Sequence, residues 1–189
     1  MTREQLPRGL NVLQRYGKHL AGVYGFLAAL HTAATKQGER VIWWETGSLC
    51  ERSYRFGSAL HNLRPDAEFM YTTQVKRVRA WLEWDRGTMS RRDLEAKMRA
   101  YAHYVRCREW TREGSQQLPL LLFVVPDKGQ EERVRHAVTK ELAQGGLSVY
   151  TTTATRVDEQ GPLAAIWWRV HLLRAQRSAE EAIAERVML

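Results

Sequence analysis

The run LPLLLFVV at residues 118–125 has no charged side chain over the length of one strand. A strand that is apolar on both of its alternating faces needs cover on both sides, which is typical of the inner strands of an α/β sheet. The run is also far too short to cross a membrane. It therefore indicates a layered domain in which helices cover a central sheet.

The flanking patterns predict the other elements of this sheet. They are, in order, a helix at 16–36, strands at 41–45, 66–72 and 75–84, a helix at 91–109, the strand at 118–125, a helix at 131–144 and a strand at 147–153, with 164–170 as a candidate for one further strand. The order α-β-β-β-α-β-α-β predicts an α/β domain with a mixed sheet flanked by helices. The expected organisation is a flexible lead at 1–14, the domain at 15–173, and a polar, partly helical tail at 174–189.

The chain is strongly basic and poor in cysteine. Its 189 residues carry a formal net charge of +8, which favours a polyanion such as DNA as partner. Cys50 and Cys107 form neither a CxxC pair nor a disulfide framework, so a reducing compartment, the cytoplasm, is expected. No segment is expected to span a membrane.

Two segments with the pattern of strands carry carboxylates. RPDAEFMY (64–71) contains Asp66, and WLEWDRGT (81–88) contains Glu83 and Asp85. Since side chains alternate along a strand, Glu83 and Asp85 point the same way at its C-terminal end. An antiparallel hairpin would bring the start of the first strand beside the end of the second, so the three carboxylates are expected to converge.

The helix after Gly87 supplies a matching cation. Its buried stripe is formed by Leu94, Met98, Tyr101 and Val105, and Lys97 lies on or beside that stripe. A buried lysine needs an anion to offset its desolvation. The three carboxylates are the nearest candidates.

Such a cluster has two interpretations. Carboxylate oxygens suit Mg²⁺ or Mn²⁺, and a metal with a neighbouring ammonium is the equipment for phosphodiester hydrolysis. The alternative is a structural ion-pair network without chemistry.

These residues resemble a known family. RPDAEF, LEWDRGT and the helix with Lys97 and Tyr101 resemble the PD-(D/E)XK restriction-endonuclease-like superfamily and, more narrowly, the replication-relaxation family of plasmids and integrative elements. The resemblance covers residues 15–170. It implies a restriction-endonuclease-like fold, with Asp66 and Glu83 as metal ligands and with DNA and plasmid replication or mobilisation proteins as partners.

The chain departs from the superfamily pattern at one position. Asp85 stands where the motif lysine is expected, so Lys97 would have to act from the helix. Asp85 is then either a third ligand or the mark of a site that binds metal without cutting.

Other residues have two interpretations each. Arg86, Arg91, Arg92 and Lys76 are candidate DNA contacts or simply solvated cations. Tyr101 could be a nucleophile, although its place on the buried stripe favours packing. His19 and His31, on the first helix, are expected to be packing or surface residues.

Three functions follow from these patterns. The leading one is metal-dependent nicking or cleavage of DNA in plasmid or mobile-element replication or transfer, with Asp66, Glu83, Asp85 and Lys97 as catalytic residues. The second is a non-catalytic nuclease-fold module that binds DNA or a replication or mobilisation protein. The third, a basic protein-interaction domain, predicts no salt-dependent binding of DNA.

Overall fold

The protein folds around one large sheet, which the computed structural model describes over residues 8–112, 117–142, 146–170 and 186–187. The helices are α1 (Arg8–Lys36), α2 (Arg91–Cys107), the short α3 (Glu109–Arg112), α4 (Lys128–Leu142) and α5 (Ala154–Gln160). The strands are β1 (Arg40–Thr46), β2 (Arg52–Phe56), β3 (Ala59–Leu63), β4 (Ala67–Thr72), β5 (Arg77–Trp84), β6 (Leu120–Val125), β7 (Val149–Thr153), β8 (Trp167–Arg169) and β9 (Arg186–Val187).

The seven-stranded sheet is mixed, as predicted. Its order is β1-β4-β5-β6-β7-β8-β9, and β2 and β3 form a separate hairpin. The inner strands β5, β6 and β7 run parallel, whereas β1, β4, β8 and β9 pair antiparallel with their neighbours. The apolar run at 118–125 forms β6, with Leu121, Leu122, Phe123 and Val124 fully buried. The parallel pairs bring the C-terminal ends of β5, β6 and β7 to one edge of the sheet.

Each face of the sheet has its own core. One cluster of buried residues joins the sheet to α2, α4 and the hairpin, and the other joins it to α1 and α5. Along β5, Trp81 belongs to the first cluster and Leu82 to the second, as strand alternation predicts. Side chains of β5 therefore point alternately at α2 and at α1.

The prediction missed the β2–β3 hairpin, the short helices α3 and α5, and the strand β9. The β2–β3 hairpin turns at Gly57, which has a positive φ of 62°, and its outer residues are mostly exposed, so it lacks an apolar alternation. The helix α5 is only seven residues long. In addition, α1 begins at Arg8 rather than at 16. The predicted tail at 174–189 lies outside the described residues apart from β9.

No helix among the described residues is long and apolar enough to cross a membrane.

A glycine of α1 sets the distance between that helix and β5. A Cβ at Gly22 would overlap the indole of Trp84, whereas a Cβ at Gly25 would meet no atom within 4 Å. We expect Gly22→Ala to lower the free energy of unfolding by about 1–3 kcal/mol through overpacking. Gly25→Ala should raise it by up to about 1 kcal/mol through helix propensity. Urea unfolding measures both, and equal effects of the two changes would contradict the close contact.

Candidate functional site

The antiparallel pair β4–β5 brings two of the predicted carboxylates side by side. Ala67 pairs with Leu82, and the N–H of Asp66 donates to the carbonyl of Leu82 at 3.0 Å. Asp66 therefore lies next to Glu83 at the end of the ladder. The hairpin expected from the sequence is what places them there.

Helix α2 delivers a lysine and a tyrosine to Glu83. Ser90 caps the helix by accepting the N–H of Asp93 at 3.2 Å. Lys97 Nζ forms an ion pair with Glu83 Oε2, and Tyr101 O–H donates to Oε1 at 2.5 Å. Glu83 is 1% exposed and Lys97 is 25% exposed. Both oxygens of the buried carboxylate are thus bonded to α2.

Asp66 is held from two directions. Its Oδ2 accepts the backbone N–H of Trp84 at 2.8 Å, and its Oδ1 lies 3.2 Å from Nε2 of His19 on α1. From the sequence, His19 was expected to be a packing or surface residue. Its spacing from Val23 and Phe26 is that of a helix face, which is the signal that could have directed it toward the sheet.

Asp85 is held by its own turn and by α4. Its Oδ1 accepts the N–H of Gly87 at 2.9 Å, and its Oδ2 accepts Nε2–H of Gln130 at 2.7 Å. Gly87 has a positive φ of 72°, which allows the tight turn. Gln130 is buried, and nothing in the sequence pattern pointed to it.

These side chains line one cavity of about 240 Å³ at the sheet edge. We call it the acidic pocket, and its lining residues are His19, Asp66, Glu83, Trp84, Asp85, Arg86, Thr88, Met89 and Lys97. The structure therefore brings together the three carboxylates and the lysine selected from the sequence. Tyr101 lies beneath the pocket, fully buried, so it orients Glu83 and is not placed to attack a substrate.

The charges in the acidic pocket are strongly coupled. Burial raises the pKa of Glu83 to about 7, although the Lys97 ammonium acts in the opposite direction. Burial also disfavours charged Lys97, but the carboxylates of Glu83 and Asp66 outweigh it and raise the pKa of Lys97. The pKa of Asp66 is lowered, because His19 and Lys97 outweigh its burial. Near neutral pH, Glu83 is therefore the carboxyl that takes up or releases a proton.

The four candidate DNA contacts are scattered. Arg86 lines the acidic pocket, and Arg91, at the start of α2, is exposed and paired with Glu95 at 2.9 Å. Arg92 is exposed on the same turn. Lys76 lies before β5, roughly 23 Å along the strand from Glu83, at the opposite end of the sheet. Lys76 is thus not part of the site.

The donor set of the acidic pocket suits a hard cation, but its oxygens are already occupied. Carboxylate oxygens are the ligands that Mg²⁺ and Mn²⁺ prefer. In the part of the chain that the structure describes, no group of three His, Cys, Asp or Glu side chains is arranged to hold a metal ion. Each of the six carboxylate oxygens has a donor within 3.2 Å, so a metal would have to bind through the second lone pairs of these oxygens or displace Lys97 and His19.

One comparison with known proteins gives a match. A family model described as replication-relaxation matches residues 3–118, more than half of the chain. The matched segment includes all three carboxylates and Lys97, but it ends before β6 and α4. No curated protein and no solved structure matches.

Proposed function

Because the chain belongs to the replication-relaxation family, we propose that it acts on DNA in plasmid or mobile-element replication or transfer. We propose further that the acidic pocket cuts a phosphodiester bond with Mg²⁺ or Mn²⁺, in the manner of a restriction-endonuclease-like nuclease. The observation that carries this proposal is the convergence of Asp66, Glu83 and Lys97 in one open cavity at the sheet edge. The basic charge of the chain supports DNA as the substrate.

The residues have distinct roles in this proposal. Asp66 and Glu83 would hold the metal, with Asp85 assisting from the position that its bonds to Gly87 and Gln130 fix. When bound, the metal would acidify a water molecule and offset charge on the phosphate. Lys97, released from Glu83, would orient the attacking water through its ammonium.

Two neighbouring groups hold the proposed metal ligands in position by hydrogen bonds. Tyr101 donates to Glu83 and keeps one oxygen in place while the other exchanges partners. Trp84 holds Asp66 in the same way through its backbone N–H. Ligand carboxylates are commonly fixed by such hydrogen bonds, which orient them toward the metal.

Metal binding should depend on pH in a defined direction. A metal competes with the proton on Glu83, whose pKa is about 7. We expect the affinity for Mn²⁺ to rise about tenfold per pH unit below pH 7 and to level off above it. Isothermal titration at pH 6, 7 and 8 measures this, and Asp66→Asn should weaken binding whereas Asp158→Asn, on α5, should not.

A second candidate function is a non-catalytic module that binds DNA or a replication protein. It is favoured by one observation, namely that every oxygen of the three carboxylates already accepts a hydrogen bond or ion pair from the protein. The Mn²⁺ titration separates the two functions. Salt-dependent binding of DNA without any binding of Mn²⁺ from pH 6 to 8 would reject the nuclease and support the module.

A further inference from the structure

The turn between β4 and β5 lies at the end of the sheet opposite the acidic pocket. We call residues 73–76 the β4–β5 turn, and it is closed by the N–H of Thr73, which donates to the carbonyl of Lys76 at 2.9 Å. The pairing of β5 with β6 begins only at Ala80. No strand among the described residues therefore pairs with residues 77–79 on that side, so the two-stranded end of β4 and β5 extends beyond β6.

The β4–β5 turn holds an apolar side chain in solvent. Thr73 Oγ1 accepts the N–H of Val75 at 3.2 Å and the N–H of Lys76 at 3.1 Å, which fixes the conformation of the turn. Val75 is 91% exposed, the highest value among the exposed large hydrophobic side chains of the described residues. The turn thus presents an aliphatic group and an ammonium side by side, and neither contributes to the core.

Four cations are gathered at this end of the sheet. Arg40 of β1 and Arg77 of β5 are both cross-strand partners of Thr72, so they lie on the same face, about 10 Å apart. Lys76 lies in the β4–β5 turn, and Lys36 lies in the last turn of α1, just before β1. All four are exposed and form no ion pair with a described residue.

The strands and the first helix bring few carboxylates to this end. Helix α1 contains no aspartate or glutamate. The glutamates of β1, β4 and β5 all lie in the halves of these strands that point toward the acidic pocket; they are Glu45, Glu68 and Glu83. Glu39, directly before β1, is therefore the one opposing charge that these elements supply here.

The other helices that end here do not reverse the balance. Residues 106–113, at the end of α2 and after it, contain three arginines and two glutamates. Glu141, at the end of α4, already pairs with Arg99 and Lys140. Positive charge therefore remains in excess when the carboxylates of every helix and strand that ends beside the β4–β5 turn are counted.

A basic two-stranded ribbon with an apolar tip fits a groove of duplex DNA. The major groove of B-DNA is about 12 Å wide and accepts a two-stranded β-ribbon. Arginine and lysine side chains on the flanks of such a ribbon contact phosphate oxygens, and an aliphatic side chain at its tip contacts the methyl groups of thymine.

We propose that the β4–β5 turn enters the major groove of duplex DNA, with Arg40, Lys76 and Arg77 on phosphates and Val75 against base edges. This inference rests on the proposed function for the identity of the partner, DNA, but not on cleavage. It assigns a role to Lys76, which lies roughly 23 Å along β5 from Glu83 and so outside the acidic pocket.

The test compares two changes that remove the same charge. Binding of a fluorescent duplex oligonucleotide is measured in EDTA over a range of salt concentrations, so that no metal and no cleavage are involved. We expect Arg77→Gln to weaken binding roughly tenfold and to reduce the slope of log affinity against log salt by about 0.9. Lys76→Gln should act in the same direction.

Arg169→Gln is the matched control. Arg169 is exposed in β8, three strands from β5, which is about 14 Å across the sheet and beyond the Debye length of about 8 Å at physiological salt. This change should leave both the affinity and the salt slope unchanged.

A further variant separates the apolar contact from the charges. Val75→Ser should weaken binding by about threefold while the salt slope stays the same, because it removes apolar contact and no cation. All of the replaced side chains are exposed, and thermal melts establish that the variants are folded.

Three results would overturn the inference. Equal losses of affinity for Arg77→Gln and Arg169→Gln would mean that DNA responds to net charge and not to this end of the sheet. Unchanged binding by Val75→Ser would mean that the turn does not enter the groove. No binding of DNA by the unmodified protein would reject this site and the proposed function together. Binding that depends on Arg77 and Val75, with no cutting of DNA in Mg²⁺, would support the inference and reject only the nuclease.

Discussion

Replacing Lys97 with methionine is expected to lower the free energy of unfolding by about 3–5 kcal/mol at pH 8. Glu83 is 1% exposed, and Lys97 is the cation bonded to it. Removing one partner of such a pair leaves an uncompensated buried charge, which is among the most costly single changes in a protein. Methionine keeps the length of the lysine side chain, so little packing is lost.

The size of this loss should depend on pH. The folded pKa of Glu83 is about 7, above its ordinary value of 4.5, so its stabilising contribution is present below pH 4.5 and is lost as pH rises through 7. Without Lys97 that pKa rises further, because the ammonium lowers it. Glu83 then stays neutral at pH 5, and the loss at that pH should fall to roughly 1–3 kcal/mol, the cost of an unsatisfied polar group.

Urea unfolding of both proteins at pH 5 and pH 8 measures the effect. Lys140→Met is the matched control, because Lys140 is 48% exposed and pairs with Glu95 at the surface. That change should cost less than about 1 kcal/mol at either pH. An equal loss of stability at pH 8 and at pH 5, relative to the unmodified protein, would show that Glu83 is not a buried carboxylate held by Lys97.

Asp66→Asn is expected to reduce metal-dependent cleavage of DNA by about 10²–10³-fold while the fold is retained. The asparagine has the same shape, and its carbonyl oxygen can still accept the N–H of Trp84. What it lacks is the negative charge that would hold a metal. The loss should therefore appear in the rate of cutting, with little change in the midpoint of thermal unfolding.

Two comparisons make this prediction specific. Glu83→Gln should show a loss of similar size, because it removes the other proposed ligand. Asp158→Asn removes an exposed carboxylate from α5 and should cut at the normal rate. Full activity in Asp66→Asn would contradict the assignment of Asp66 as a ligand.

The central part of the site could be predicted because it depends on local periodicity. Alternation along β5 and pairing with β4 bring Asp66 and Glu83 together, and the helical stripe of α2 places Lys97 over them. These residues lie within about 30 positions of one another, so local patterns are enough to relate them.

The remaining contacts depend on tertiary packing. His19 reaches Asp66 from α1, and Gln130 reaches Asp85 from α4, each across more than 40 positions of sequence. Whether a single histidine or glutamine on a helix meets a strand end depends on where the helix lies on the sheet. The sequence pattern does not specify that position.

A second buried carboxylate, Glu68, also has partners that depend on tertiary packing and that the sequence pattern does not specify. Arg79 of β5 forms an ion pair with Glu68, which is fully buried in β4. Arg52, from the unpredicted β2–β3 hairpin, bonds the other oxygen of Glu68 at 2.5 Å. The hairpin supplies one of the two cations of this group, so missing the hairpin also hid the role of Arg79.

The most direct test of the account is a nicking assay with the unmodified protein on supercoiled plasmid. The account predicts conversion to open-circular or linear DNA in Mg²⁺ or Mn²⁺, and no conversion in EDTA. No conversion in either metal, by folded protein that binds the plasmid, would contradict it. The carboxylates of the acidic pocket would then serve to hold Lys97 and His19 rather than a metal.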